Sequence, residues 1–470
     1  MNNNTKAIAK LKKKYNHLPW EVGSFGLKSW FLQNFPPSLV LFLLRNVLVK
    51  SEYKLKREST KFFQYSVIAY STKKRRCCDQ SLVIAFGLID RYFDIAYVAL
   101  IRNAVRSTMN NSTKRHELSD HILETTKGLN TSILDATGWY QLSRGLFFIG
   151  YFRAAWVARE NSLNLSVVEG LDSNSDATAV SRAIQAHLER LELDSAKEIL
   201  AKTNQLGKKA LSALQEALAW FEGNGVLNLI NTTVQVGASE ELFYELVRGK
   251  KVALVGPGHP RGEYGDEIDA TDTVARVKFV GVENLPPQKF HGSRCNIAYQ
   301  AAVGVLAEYV DLGLNIDYYE NIDLIVSSSA LSQFRATPIL NIESSIPMYR
   351  TTSVSGIIIL YQLIKASPKK LMVYGYDFRA ERKQYSNAAR DFYKDNGPLI
   401  GHPYPGFDFE DLPQWIIASD FGEHDFVSNF CFAQNLYKAG LFDIEPYGKS
   451  ILELTPYQYV ERLEEMLGDW

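Results

Sequence analysis

The chain has 470 residues, 46% of them hydrophobic and 12% aromatic, enough to bury a large core divided over two or three units at roughly 100 to 200 residues per domain. That composition excludes a disordered tail, and the four cysteines (Cys77, Cys78, Cys295 and Cys431) spell neither a disulfide framework nor a cage of paired thiolates for a metal. Lys and Arg number 52 and Asp and Glu 52, so the net charge is zero, but the charge is unevenly placed.

Residues 1–76 carry sixteen Lys or Arg against Glu21, Glu52 and Glu58, a local net charge of +13 that the remainder must cancel. Between the basic clusters Lys10–Lys14 and Lys73–Arg76 lies an apolar stretch, Trp30 to Lys50, bounded by Lys28, Arg45 and Lys50. Apolar burial and attraction of Lys and Arg to anionic headgroups add, so residues 1–78 read as a basic, amphipathic arm able to lie on an anionic membrane surface. A core helix with a solvated basic fringe reads equally well. No nucleic-acid-binding motif accompanies the charge, so nucleic acid is not expected as a partner. The longest apolar run of the arm, Leu39–Leu44, is far shorter than the ~20 residues of a membrane span, and no cleavage-site pattern follows it. The expected location is cytoplasmic, with peripheral contact at the inner membrane face as the arm's contribution.

From residue 79 to 245 the apolar spacing is helical. Leu82, Ile84, Leu88, Phe93, Ala96, Val98 and Leu100 are too dense for one face and suit helices buried on several sides. "GYFRAA" at Gly150–Ala155 and "LELDSA" at Leu191–Ala196 have the look of the turn and second helix of tetratricopeptide-type hairpins, and "RYFDIA" at Arg91–Ala96 fits more loosely. Their intervals are irregular, so an irregular helical-hairpin domain is expected instead of a repeat array. It would serve as a scaffold covering one side of the next domain, or as a docking surface.

At Lys250 the pattern changes. "KKVALVGPG" is a charged start, an apolar strand over Val252–Val255 and then glycine punctuation, the form of a buried parallel strand entering a phosphate-approaching turn. Gly256 and Gly258 would let backbone N–H groups face an anion. Arg261 stands where the dinucleotide fingerprint needs its third glycine, and no Gly-Lys-Ser or Gly-Lys-Thr follows, so neither a dinucleotide site nor a Walker loop is spelled. "EIDATDTVARVK" (Glu267–Lys278) places acidic turn residues before a second strand, and "GSRCNIAYQ" (Gly292–Gln300) a small-residue turn before a third segment. "TTSVSGIIILYQLIKASPKKLMVYGYDF" (Thr351–Phe378) is a Ser-Gly turn opening an apolar helix, then a strand over Leu371–Val373 that ends in Gly375. "GEHDFVSNFCFAQNLYKAG" (Gly422–Gly440) puts His424 at the start of an amphipathic helix that Gly440 can terminate.

Taken in this order, the four pieces resemble the L, S, III and VS sialylmotifs of animal-type sialyltransferases (glycosyltransferase family 29) and their bacterial relatives. The resemblance covers about residues 248 to 445, just under half the chain; the Ser-Gly helix followed by Val-Tyr-Gly is its most specific piece, and His402 in "GHPYPG" its least. It implies an α/β fold with a Rossmann-like, mostly parallel sheet over residues 246–470. Several positions depart from the pattern. Pro257 replaces the Asn expected to touch phosphate, Lys278 follows Arg276 where Arg-x-Asn would stand, the cysteine pair that would bridge the first two motifs is missing, and Asn429 occupies the acidic place after His424.

What the resemblance implies is transfer of sialic acid, or a related ulosonic acid such as Kdo, from its CMP ester to a hydroxyl of a glycan or glycolipid, with no metal and no other cofactor. His424 would be the general base, kept neutral by the helix dipole, and His402 a partner of the departing phosphate, with Tyr404 and Tyr374 able to act similarly. The CMP-sugar site would comprise Gly256, Pro257, Gly258, Arg276, Lys278, Asn296, Ser355, Gly356, Tyr374 and Gly375. Ser355 and Gly356 would use a helix N-terminus to hold phosphate or the donor carboxylate, and Asn296 would read ribose or base. His259 and Arg261 are candidates to restore the charge complementarity lost with the Asn. The alternative is a non-catalytic nucleotide-binding module on an assembly scaffold.

Overall fold

The computed structural model describes residues 114–172, 174–204, 206–223, 237–256, 258, 261–277, 288–300, 322–327, 338–341, 346–351, 355–380 and 425–468, with scattered positions between 93 and 104. The basic arm lies outside the described residues, as do Cys77 and Cys78.

A run of helices comes first. α1 (Lys114–Lys127), α2 (Ala136–Phe148), α3 (Phe152–Leu171), α4 (Ala177–Glu189), α5 (Leu193–Lys202), α6 (Lys208–Phe221) and α7 (Ala238–Val247) follow one another along the chain. Aspartates start two of them: Asp135 accepts the Gly138 N–H at 2.7 Å, and Asp176 the Ala179 N–H at 2.8 Å, each satisfying an orphan donor of the first turn. Chain neighbours pack together, α3 on α2 and α4, and α4 on α5. The two better tetratricopeptide-like echoes fall on helix starts, with Ala155 and Ala196 buried; Ala96 of the looser one is exposed.

The rest is mixed α/β. β1 (Lys251–Val255), β2 (Thr273–Val277), β3 (Ile297–Gln300), β4 (Leu324–Ser327), β5 (Ile339–Asn341), β6 (Lys370–Tyr374) and β7 (Asp443–Ile444) form one seven-stranded sheet in the order β5-β4-β3-β2-β1-β6-β7. Every pairing is parallel. Between the strands lie α8 (Gly265–Asp269), α9 (Gln288–His291), α10 (Ser355–Lys365) and α11 (Phe426–Lys438), and α12 (Pro446–Leu452) and α13 (Pro456–Gly468) follow β7. Short runs such as "VALV" and "LIVS" suit strands buried on both faces. Val252 and Leu254 point into the large core shared with the helices, while Ala253 and Val255 pack with Ile268, Val274 and Tyr374 on the other side. That large core is continuous from Tyr97 to Leu463, so the helices before β1 and one face of the sheet bury a common apolar interior.

α11 ends as its Gly440 predicts. Gly440 adopts φ +71°, its N–H donates to Tyr437 O at 2.9 Å and the Leu441 N–H to Leu436 O at 3.2 Å, a left-handed stop with two bonds. The expected amphipathic character is not found: residues Phe426 to Leu436 are all buried, because α4 and α6 and the two helices that follow β7, α12 and α13, all pack against α11.

Candidate functional site at the strand switch

The chain builds outward from β1 to β5, then returns to place β6 on the other side of β1. In an open parallel sheet the connections leaving β1 and β6 therefore depart in opposite directions, and a crevice opens beyond their carboxyl ends. The glycines flagged by the sequence stand there. Gly256 follows β1 and Gly375 follows β6, and their turns are bonded to each other: Gly256 N–H to Tyr374 O at 2.8 Å and Gly258 N–H to Gly375 O at 3.1 Å. A Cβ on Gly256 would lie 2.5 Å from Gly375 O, and Gly375 itself has φ +65°. The N–H groups of Gly256 and Gly258, expected to face a phosphate, are thus engaged with backbone carbonyls; these glycines are required because two main chains touch.

α10 begins at the same place. A Cβ on Gly356 would meet the Tyr376 ring at 2.7 Å, and the same ring lies 2.5 Å from the Cβ position of Gly256. Tyr376 therefore sits where the two glycine turns meet the start of α10, with Ser355 as that helix's first residue. Among the described residues its buried hydroxyl has no hydrogen-bond partner, nor has that of Tyr299 near the end of β3. Burial, and secondarily Tyr299, push the Tyr376 phenol well above its ordinary pKa, so it stays protonated and able to donate.

The backbone just beyond is strained. Phe378 and Arg379 have φ +51° and +65°, a left-handed pair without glycine. They carry the start of α11: Phe378 packs edge-on against Phe430 with centroids 6.3 Å apart, and the Arg379 guanidinium lies 4.8 Å over the Phe426 ring. Asp425 caps α11 by accepting the Ser428 N–H at 3.1 Å, and immediately precedes the helix in chain order after His424.

Helices before β1 reach this point with charge. Arg159 of α3 donates to Asp425 at 2.6 Å and to both oxygens of Glu189 on α4 at 2.9 and 2.8 Å, and it also bonds Ser428. The Tyr140 hydroxyl of α2 donates to Asp425 at 3.0 Å. Burial alone would raise the Asp425 pKa, but Arg159, Arg144 and the Ser428 N–H together hold it below the ordinary carboxylate value. Glu445, the cap of α12, is a second buried carboxylate; the backbone N–H groups of Gly375, Tyr447 and Arg261 point at it, yet burial outweighs them and raises its pKa. It ties the loop after β1 to the turn after β6.

Other expected site residues stand elsewhere. Asn296 lies before β3, at the amino edge of the sheet and away from the crevice; its side chain accepts the Val274 N–H at 2.9 Å and donates to Asp323 at 2.8 Å, so it closes strand ends and is not placed to read a base. Arg276 is buried, with its guanidinium bonded to the carbonyls of Arg294 and His291, both at 2.7 Å. Tyr374 turns to the opposite face, where its hydroxyl donates to Glu267 at 2.7 Å. Arg261 packs 4.8 Å over the Tyr447 ring. Pro257, His259, Lys278, His402, Tyr404 and His424 lie outside the described residues.

Sequence reasoning missed Tyr376, Tyr299, Glu445 and the Arg159–Asp425 pair. Tyr376 had a usable signal, since it follows the glycine that ends a strand; Arg159 had none, because its partner is 266 residues away. No protein-family model matches the chain, and no curated protein matches it.

Proposed function

We propose that the chain is a glycosyltransferase that moves sialic acid, or a related ulosonic acid such as Kdo, from its CMP ester to a glycan hydroxyl. In this reading the sheet is Rossmann-like, sialyltransferase-like and preceded by an irregular helical-hairpin unit. The observation that carries it is the meeting of the β1 turn, the β6 turn and the N-terminus of α10 at the switch of strand order. With the Gly256 and Gly258 N–H groups engaged, the anion is assigned to the first turn of α10, whose N–H groups and dipole favour phosphate or the donor carboxylate.

The acceptor hydroxyl would lose its proton to His424 as its oxygen bonds the anomeric carbon. The bond from that carbon to the phosphate oxygen breaks, and CMP leaves with the electron pair, its charge met by α10 and by His402. No metal is required in this scheme. Residues 1–76 would hold the enzyme at an anionic membrane.

Purified protein incubated with CMP-Neu5Ac and CMP-Kdo side by side tests the reading. One donor should be hydrolysed or transferred, His424→Ala should lower the rate by about 10² to 10⁴, and CMP at 100 times its dissociation constant should stabilise the fold by about 2.7 kcal/mol. A CMP-dependent melting shift without turnover would leave the second reading, a non-catalytic, degenerate nucleotide-binding module on an assembly scaffold, and neither turnover nor shift would overturn both. What favours that alternative is the engagement of the two glycine N–H groups with carbonyls.

A further inference from the structure

The ring of Tyr376 is slotted between two glycines. Its Cδ2 and Cε2 edge lies 2.5 and 2.6 Å from the Cβ position of Gly256, and its Cε1 and hydroxyl oxygen lie 2.7 and 2.9 Å from that of Gly356. A side chain at either glycine would push the ring away, so both glycines are needed to admit it. The slot delivers the hydroxyl to the first turn of α10, a helix of 11 residues. Part of the side chain is exposed, but the hydroxyl at its tip is buried, and among the described residues nothing bonds it.

A phenylalanine would fill the same slot. A buried hydroxyl that has given up water without finding an acceptor destabilises the protein, so a tyrosine here is favourable only once an acceptor arrives. Its position says which kind of acceptor. Cβ bonds of a helix tilt toward the N-terminus, so a hydroxyl beside the Gly356 Cβ position stands at the positive end of the α10 dipole, where an anion is favoured. Burial keeps the phenol protonated, able to donate to an anion instead of repelling it as a phenolate.

We propose that the Tyr376 hydroxyl and the first turn of α10 together form an oxyanion site, in which the phenol donates a hydrogen bond to a phosphate or carboxylate oxygen. That this oxygen belongs to the sugar donor rests on the transferase reading; the oxyanion site itself stands on the slotted ring and its buried hydroxyl.

The test follows melting of the full chain, as wild type and as Tyr376→Phe, titrated with sodium phosphate and, separately, sodium acetate, against sodium chloride at equal ionic strength. General salting effects are shared by the two proteins, so the difference between them reads the hydroxyl. One anion should stabilise the wild type saturably, and the more effective one identifies the group held. Tyr376→Phe should raise its half-maximal concentration by about tenfold, the loss of one hydrogen bond to a charged group. In chloride alone the variant should melt no lower than wild type, since no bond is removed. Equal anion responses in the two proteins, or no saturable response in wild type, overturn the site and leave the hydroxyl to a buried water. A variant that melts lower in chloride overturns it as well, because the hydroxyl then serves the fold. CMP and cytidine separate the two claims. If CMP shifts neither protein while phosphate or acetate behaves as stated, the transferase reading falls and the oxyanion site stands; if CMP but not cytidine shifts both equally and the anion responses are also equal, the site falls and the transferase reading stands.

Discussion

Arg159 and Asp425 are each 0% exposed, with nitrogen and oxygen 2.6 Å apart, and they join α3 to the start of α11. Removing one member of a buried ion pair typically costs about 3–5 kcal/mol, because the other is left charged away from water. Arg159→Met strands two carboxylates, Asp425 and Glu189, and should fall at the upper end of that range. Asp425→Asn leaves Arg159 still paired with both Glu189 oxygens and preserves an acceptor for the α11 cap, so it should fall at the lower end. The double variant, having neither charge, should lose less than the sum of the two. Guanidinium unfolding followed by tryptophan fluorescence reads all three. Asp425 has a depressed folded pKa, so its contribution is present above its unfolded value near ~3.9 and is lost as pH falls through the lower folded value. The Asp425→Asn penalty should therefore shrink below about pH 4. Single-variant costs under about 1 kcal/mol, or strict additivity in the double, would refute the claim that the buried charges bind helices and sheet region together.

Two further perturbations address the switch point. Gly375→Ala forces a left-handed alanine whose Cβ would lie 2.8 Å from Gly258 O; it should destabilise by about 2–4 kcal/mol and abolish the CMP-dependent melting shift, and wild-type stability would show that the two turns do not touch. Burial raises the folded pKa of Glu445, so the stability linked to its protonation is full below its unfolded pKa and lost as pH rises through the folded one. Glu445→Gln should consequently gain on wild type in melting temperature between pH 4 and pH 7, and a constant difference across that range would count against a strained buried carboxylate.

The strands around the site were legible because a buried parallel strand is short, apolar and punctuated: β1 and β6 fall within a residue or two of "VALV" and "LMV", and β2 follows the acidic turn residues of "EIDATDTVARVK" as expected. Gly440 announced its helix end, since only a left-handed residue there frees the last carbonyls for capping. Asn296 misled for a simple geometric reason. In a parallel sheet, residues after a strand and residues before one lie at opposite edges, so Gly256 and Asn296 cannot share a crevice however close their motifs run in sequence. Spacing likewise suggested that glycine N–H groups would face a ligand, but it could not show that a second turn, more than a hundred residues on, would take them. The ion pair of Arg159 with Asp425 left no local trace at all, as both residues read as ordinary polar positions on helices.

Glu464 of α13 accepts from the Arg153 backbone N–H at 2.7 Å and from its guanidinium at 2.9 Å, and it also bonds Ser119 of α1. Tyr459 of the same helix stacks on Phe430 of α11 with centroids 4.0 Å apart. A nascent chain emerges in order, and α1 and α3 leave the ribosome long before α13. Those early helices must wait through some 311 residues of synthesis for the clasp that completes them, a delay during which their apolar faces are open to chaperones.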